Sequence, residues 1–363
     1  MSGSDFTRVL VGPLRRCGSH GLRLRLAKSP KVFSPYPLHI TDILHRVPHY
    51  GDLSCDLNLF RLTHDVITLQ NFAPVRWKCS FDPVCIFDEL VEMHPKEKER
   101  SVHHIVWKLL EKGAEAQSAT VLIDKSCETL WRAPELLRLY PDLKYVVLVR
   151  DPRAQVPSMS RSIILNFDHY LNALLWRRAY TEGRRLLETY PDRTILVRYE
   201  DCMADMPRQL QRLCAFLGIP FDASFAELRG DPDVADFAKR SQLWETNTRA
   251  PDASINKQRR QSLSARETEM VEAVAGGADL MEFYGYSREH KRTSELGALP
   301  EEQLASALSV SPSECSERSR KAEQAAWETL RKEKPQEWYL RTQRLRLIHS
   351  DSALPLQVPP DET

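Results

Sequence analysis

Apolar residues along this chain fall into two recurring patterns. Short, mostly unbroken runs, Phe6 to Val11, Val121-Leu122-Ile123, Tyr145 to Val149 and Thr194 to Val197, read as strands covered on both faces. A parallel strand sandwiched between helices has no wet side to mark with polar residues. Between these runs the apolar positions recur at helical spacing. A helix is predicted over Pro134 to Tyr140, and a longer one over Tyr170 to Tyr190, where Leu171, Leu174, Leu175, Ala179, Leu186 and Leu187 form one stripe and Arg177, Arg178, Arg184 and Arg185 a solvated face. Met206, Leu210, Leu213, Cys214 and Leu217 mark a third helix that stops at Gly218. Strands alternating with helices in this way predict a three-layer α/β/α fold around a central, mostly parallel sheet.

Other segments are less regular. From His20 to Ala27, Leu alternates with Arg; Leu22 and Leu26 at i and i+4, closed by Lys28 and Pro30, favour a helix over a strand. Residues 34 to 118 are rich in His, Pro and aromatic side chains with weak periodicity. Here Val66 to Leu69 is predicted as a short strand, and Val84 to Met93 and Val102 to Lys112 as helices. After Tyr286 the chain turns polar. The expected division is a domain over residues 1–290 and a partly helical extension over 291–363, with helices from Pro300 to Leu308 and Ser316 to Leu347 and a Pro-rich end. That extension reads either as a packing or solvated appendage or as an arm for partner binding or self-association.

Charge adds little to this outline. With 51 Lys and Arg against 50 Asp and Glu in 363 residues, no global field calls for nucleic acid or an anionic membrane. No run approaches the length of a membrane span. Residues 6–31 are Arg-rich and free of acids, as in a transit peptide, yet Val9-Leu10-Val11 reads as part of the fold. Eight cysteines without Cys-x-x-Cys spacing indicate reduced thiols and a cytoplasmic protein. His103-His104 lacks any metal-ligand pattern around it, so no metal site is expected.

Candidate chemistry gathers at the strand ends. Arg150 closes the run Val146-Val147-Leu148-Val149, and Asp151-Pro152 supplies an N-cap followed by Pro at the first helical position. Ligands of open α/β sheets collect at this edge, and a guanidinium, the hydroxyl of Ser158 and helix N-terminal amides suit a phosphate. The alternative is an Arg that merely pairs with a carboxylate. Arg15-Arg16-Cys17-Gly18-Ser19-His20 lies between the first strand and the next helix, the setting of a phosphate-cradling loop. No Gly-Lys-Ser/Thr follows and no Gly-x-Gly-x-x-Gly occurs, so it is not an ordinary ATP site.

Together these segments resemble the sulfotransferase family, whose donor is 3′-phosphoadenosine 5′-phosphosulfate (PAPS) and whose fold is P-loop NTPase-like. The resemblance spans residues 7–286. It implies that the loop from Arg15 through Arg16, Cys17, Gly18, Ser19 and His20 holds the 5′-phosphosulfate, although Cys17 and His20 replace hydroxyl residues. It further implies that Arg150 and Ser158 grip the 3′-phosphate and that Tyr199, in Arg198-Tyr199-Glu200-Asp201, lies near the adenine. Lys257, Arg259 and Arg260 would form a basic loop over the nucleotide.

By the same resemblance Arg16, with the amides of Gly18 and Ser19, meets the leaving phosphate oxygen in an in-line, metal-independent transfer. Lys125, in Asp124-Lys125-Ser126, stands near the acceptor or the moving group, or else makes a surface salt bridge. His39 is the first candidate for the base, with His64 and His20 behind it. The expected acceptor is a hydroxyl, or amine, of a small molecule or glycan. Trp77, Trp107, Tyr36 and Tyr50 either line its pocket or belong to the core. Two other readings stay open: a scaffold that binds PAPS or its product 3′,5′-bisphosphoadenosine (PAP) without turnover, and a P-loop kinase.

Overall fold

A computed structural model describes residues 6–73, 75–127, 129–231, 234, 235, 252 and 254–349. Five strands, β1 (Thr7–Gly12), β2 (Val32–Phe33), β3 (Val121–Asp124), β4 (Lys144–Val149) and β5 (Thr194–Arg198), form one sheet in the order β2-β3-β1-β4-β5. Every pairing is parallel. β1 is the centre of the sheet: Val9 sits opposite Ile123 on one side and Lys144 on the other.

The helices, in chain order, are α1 (Ser19–Leu26), α2 (Asp56–Asn71), α3 (Pro83–Met93), α4 (Val102–Glu115), α5 (Ala133–Leu139), α6 (Pro152–Met159), α7 (His169–Thr189), α8 (Tyr199–Ala204) and α9 (Met206–Leu217). After them come α10 (Ser254–Arg260), α11 (Ala265–Gly276), α12 (Leu280–Phe283), α13 (Thr293–Gly297), α14 (Glu301–Ala307), α15 (Pro312–Glu333) and α16 (Pro335–His349).

Alternation along each strand sorts the core into layers. Val9, Val11, Val121, Ile123, Val146 and Leu148 pack with Leu22 and Leu26 of α1 and Leu210 and Leu213 of α9. On the opposite face Leu10, Leu122 and Tyr145 pack with α2 to α5, while Val147 and Val149 pack with α6, α7 and α11. The three-layer α/β/α architecture follows.

Local signals set the element ends. Asp151 caps α6 by accepting from the Arg153 amide, with Pro152 in the first turn. α9 ends in a left-handed Gly218, φ 75°, where the Ile219 amide donates to Cys214 O at 3.0 Å and satisfies a carbonyl the helix leaves open.

Three expectations need correction. Val66 to Leu69 belongs to α2 and not to a strand; Leu59, Leu62, Val66 and Leu69 are buried at helical spacing, so the β-branched pair is part of a longer amphipathic stripe. β2, two residues long, carries too little pattern to be read in advance. The single helix expected over Ser316 to Leu347 is two, α15 and α16, because Pro335 cannot continue the helix before it.

Residues after 290 fold back onto the sheet domain. Leu304, Ala305 and Cys315 share a core cluster with Val147 and Trp176. The Phe167 amide donates to Ser319 Oγ at 2.9 Å and Arg318 pairs with Asp168 at 2.9 Å, which ties α15 to the start of α7. Among the described residues, no helix is long and apolar enough to cross a membrane.

Candidate functional site

The loop from β1 to α1 turns through two left-handed residues, Arg16 (φ 70°) and Gly18 (φ 94°). Gly18 is required twice over. Its φ disfavours a side chain, and a Cβ there would stand 2.5 Å from the ring of Tyr199. Bare backbone lets Tyr199 lie against the loop.

Arg150, at the end of β4, is 5% exposed and stacks over the same ring, its guanidinium carbon 4.4 Å from the centroid. Its Nε donates to Asn256 Oδ1 at 2.8 Å and one terminal nitrogen to Arg16 O at 3.1 Å. The other terminal nitrogen is buried and has no hydrogen-bond partner among the described residues. Nor has Arg150 a carboxylate partner among them, so it is not the mundane ion pair the sequence left open.

Asn256 is itself held. Its amide donates to Glu200 Oε1 at 2.7 Å; Glu200 also accepts from the Asp151 amide at 3.1 Å and from the Tyr286 hydroxyl at 2.7 Å. Burial pushes the Glu200 carboxyl above its ordinary pKa, and these donors work against that push. The chain Tyr286, Glu200, Asn256 fixes the plane of Arg150.

Cations crowd this point. Arg16 donates to Ser158 Oγ at 3.3 Å, and its guanidinium is lowered to about 10 by burial and by the fields of Arg150 and Arg259. Arg259 is lowered in turn by burial, Arg161 and Arg150. Like charges facing one another in a partly dry cleft are arranged for an anion.

The structure therefore brings together Arg16, Gly18, Arg150, Ser158, Tyr199 and Arg259. It sets Lys257 and Arg260 apart: both line a neighbouring cleft, where Arg260 is engaged by Glu289 at 2.5 Å and Asp151 at 3.6 Å. The stretch that carries them is a helix, α10, and not a loop.

Cys17 is fully buried, and burial lifts its thiol to about 12, so it remains a neutral packing group. Ser19 is also buried, its Oγ 3.8 Å from Cys127 Sγ.

A second cluster lies on the β3 side of the loop. Lys125 is 2% exposed, and its Nζ is 3.0 Å from His20 Nε2, which removes the surface salt bridge from consideration. Burial lowers the ammonium. Burial and then Lys125 drive the His20 pKa well below 6.5, so the imidazole is neutral and turns the Nε2 lone pair to the ammonium.

His20 stacks on Tyr36, centroids 5.6 Å apart, and Tyr36 meets His39 edge-on at 5.8 Å. The segment is anchored from three directions: Arg23 of α1 donates to Ser34 O, Trp77 to Tyr36 O, and Arg344 of α16 to Leu38 O. His39 has φ 52° and a pKa held well below 6.5 by burial and by Arg15 and Lys125. Its Nδ1 is buried without a partner among the described residues.

His39, His20, Arg15, Arg16, Ser19 and Lys125 line one cavity of about 80 Å³. His64 is on α2 with a 40% exposed side chain beside Asp65, outside that cavity. Trp77 and Trp107 are core residues, and Tyr50 donates to Asp65; of the four aromatics only Tyr36 lines the cavity.

Several residues escaped the sequence reading. Glu200 and Asn256 each stand one position from a residue already singled out, so their neighbourhood was a usable signal. Asp42, Arg341 and Arg344 had none. Asp42 accepts from Arg15 at 2.8 Å and Arg344 at 3.2 Å; burial pushes its carboxyl up, but the two guanidiniums outweigh this and hold it below the usual range.

Comparison with known proteins agrees with this architecture. A model of the sulfotransferase family matches residues 9–223, more than half of the chain. Among solved structures, the sulfotransferase domain of the Synechococcus PCC 7002 olefin synthase is 23% identical with a TM-score of 0.50; the match covers 78% of this chain and 94% of that one. The sulfotransferase domain from the curacin biosynthetic pathway is 19% identical with a TM-score of 0.41, covering 84% of this chain and 98% of its own. At such identity the structural likeness speaks for the fold, while the family match is carried by the segment containing the β1 loop, Lys125, Arg150, Ser158 and Tyr199. The chain belongs to the sulfotransferase family.

Proposed function

We propose that this protein transfers a sulfuryl group from PAPS to a hydroxyl, or amine, of a small-molecule or carbohydrate acceptor, without a metal ion. The observation that carries the reading is Arg150: a buried guanidinium, aligned by Asn256, with one terminal nitrogen still to be bonded and other cations converging on it. Such a group is stable in that place once an anion completes it.

In this reading Arg150 and Ser158 hold the 3′-phosphate and Tyr199 borders the purine. PAPS would supply an activated sulfuryl group whose departure leaves charge on a phosphate oxygen. Arg16, the first amides of α1 and Lys125 receive that charge, the preorganised electrostatics on which phosphoryl and sulfuryl transfers depend. His39 takes the acceptor proton. It is neutral, lines the cavity and has an uncommitted ring nitrogen among the described residues, whereas the Nε2 lone pair of His20 is turned to Lys125.

A second reading, a PAP-binding protein without turnover, is favoured by Cys17, whose neutral thiol stands where the family pattern has a hydroxyl. Thermal shifts with PAP, PAPS and ATP separate the possibilities. A ligand at about 100 times its Kd adds about 2.7 kcal/mol. PAP is expected to raise the melting temperature and Arg150→Ala to abolish that rise; a response to ATP and none to PAP would overturn the proposal. Transfer of labelled sulfate to an acceptor, followed by mass spectrometry, distinguishes the enzyme from the scaffold.

A further inference from the structure

We infer that the acceptor carries an anionic group beside its reacting hydroxyl, and that Arg341 and Arg344 of α16 recognise it. The inference rests on sulfuryl transfer at this cavity and adds the substrate class.

The wall of the cavity away from the β1 loop comes from α16. Arg341 and Arg344 stand at i and i+3, on one side of the helix, with side chains only 15% and 14% exposed. Arg344 reaches Leu38 O at 2.7 Å and His39 O at 3.3 Å, which puts its charge against the proposed base. Arg341 is the largest electrostatic influence on the phenol of Tyr36, ahead of Arg344 and Arg15. Both α16 cations therefore act where an acceptor would lie.

Five cations line the cavity and Asp42 is the one carboxylate among its described lining residues. Donor charge engages Arg16 and Lys125. Arg15, Arg341 and Arg344 remain, against Asp42, shared by Arg15 and Arg344, and Glu337, which pairs with Arg341 at 2.8 Å. The balance is still positive. A protonated amine entering this field is repelled, and a neutral alcohol leaves it unanswered. A carboxylate or a phosphate ester close to the hydroxyl answers it, and the planar fork of Arg suits both.

The test uses matched acceptors that present the same hydroxyl with and without the charge: para-hydroxybenzoate, beta-hydroxybutyrate and glucuronate against their methyl esters, and a glucose phosphate against glucose. Each is incubated with the full chain and labelled PAPS, and kcat/KM is compared within pairs. The charged member is expected to lead by about tenfold or more, the worth of one charge-assisted bond. Arg341→Gln and Arg344→Gln should each bring the ratio toward unity, and Arg341→Lys should restore part of it. The PAP melting shift of each variant reports that the fold and donor site persist.

Equal turnover within pairs, a ratio that survives both glutamine variants, or sulfated products confined to neutral or amine acceptors would overturn the inference and leave sulfuryl transfer standing. A PAP shift with no product from any charged acceptor also counts against it. Absence of both PAP shift and product would instead remove the underlying reading.

Discussion

The two halves of the cleft are built in different ways. Around Arg150, each group follows a strand end or begins a helix next to one, and its orientation is set by a relay of hydrogen bonds through Asn256, Glu200 and Tyr286. Around His39, the framework is a segment without regular structure, fastened to α1, to Trp77 and to a helix three hundred residues away. The first arrangement is preorganised by the sheet itself. The second is assembled by tertiary contacts, so its shape can change with little disturbance to the fold. A scaffold of this kind keeps one ligand constant and lets the other vary.

Removing the proposed base is the most forceful way to break this division. His39→Ala should lower kcat by about 10²–10⁴-fold, the usual worth of general base catalysis, and leave the PAP melting shift intact. His64→Ala, outside the cavity, should turn over as the parent does. A His39→Ala protein with normal turnover would remove the base from this half of the cleft.

A smaller effect is expected from the opposite side. Asn256→Ala strips Arg150 of its 2.8 Å acceptor and Glu200 of a donor, so Kd for PAP should rise about tenfold while the acceptor KM stays put. Titration calorimetry with PAP and acceptor saturation curves would read the two separately. If both constants moved together, the halves would be one mechanical unit.

Acid sharpens the contrast between site and scaffold. Burial holds His103 at about 4 and His104 at about 3, on α4, away from the cavity. A base depressed in the folded state binds protons first in the unfolded chain. Stability is thus full above the unfolded value near 6.5 and declines as pH falls below it, by about 2 kcal/mol for each of these histidines at pH 5. Melting temperatures between pH 8 and pH 5 should trace that fall. His39 is also depressed, so the acid limb of kcat/KM should begin below pH 6.5. A limb above pH 6.5 would assign the base elsewhere.

The same contrast governs what could be read from the chain. Val146 to Arg150, Asp151-Pro152 and Ser158 are contiguous, and strand burial, N-cap chemistry and phosphate-binding residues all leave local marks; the structure has them in the expected elements. The basic stretch after Asn256 was legible as charge but not as partnership: Arg260 is spent on Glu289 and Asp151, and only spatial proximity reveals that. Val66 to Leu69 misled because a β-branched run looks like a strand until Leu59 and Leu62 are counted with it. Arg341 and Arg344 sit on a helix whose charges look solvated from sequence alone, and nothing local tells that they face Tyr36 and His39.

The bond from Arg344 to the carbonyl of His39 has a consequence in time as well as in space. Its partners are 305 positions apart, so the ribosome has released β1, β3, β4 and the loop they support long before α16 emerges to complete the opposite wall. The nascent protein acquires its donor cradle early and its acceptor chamber late.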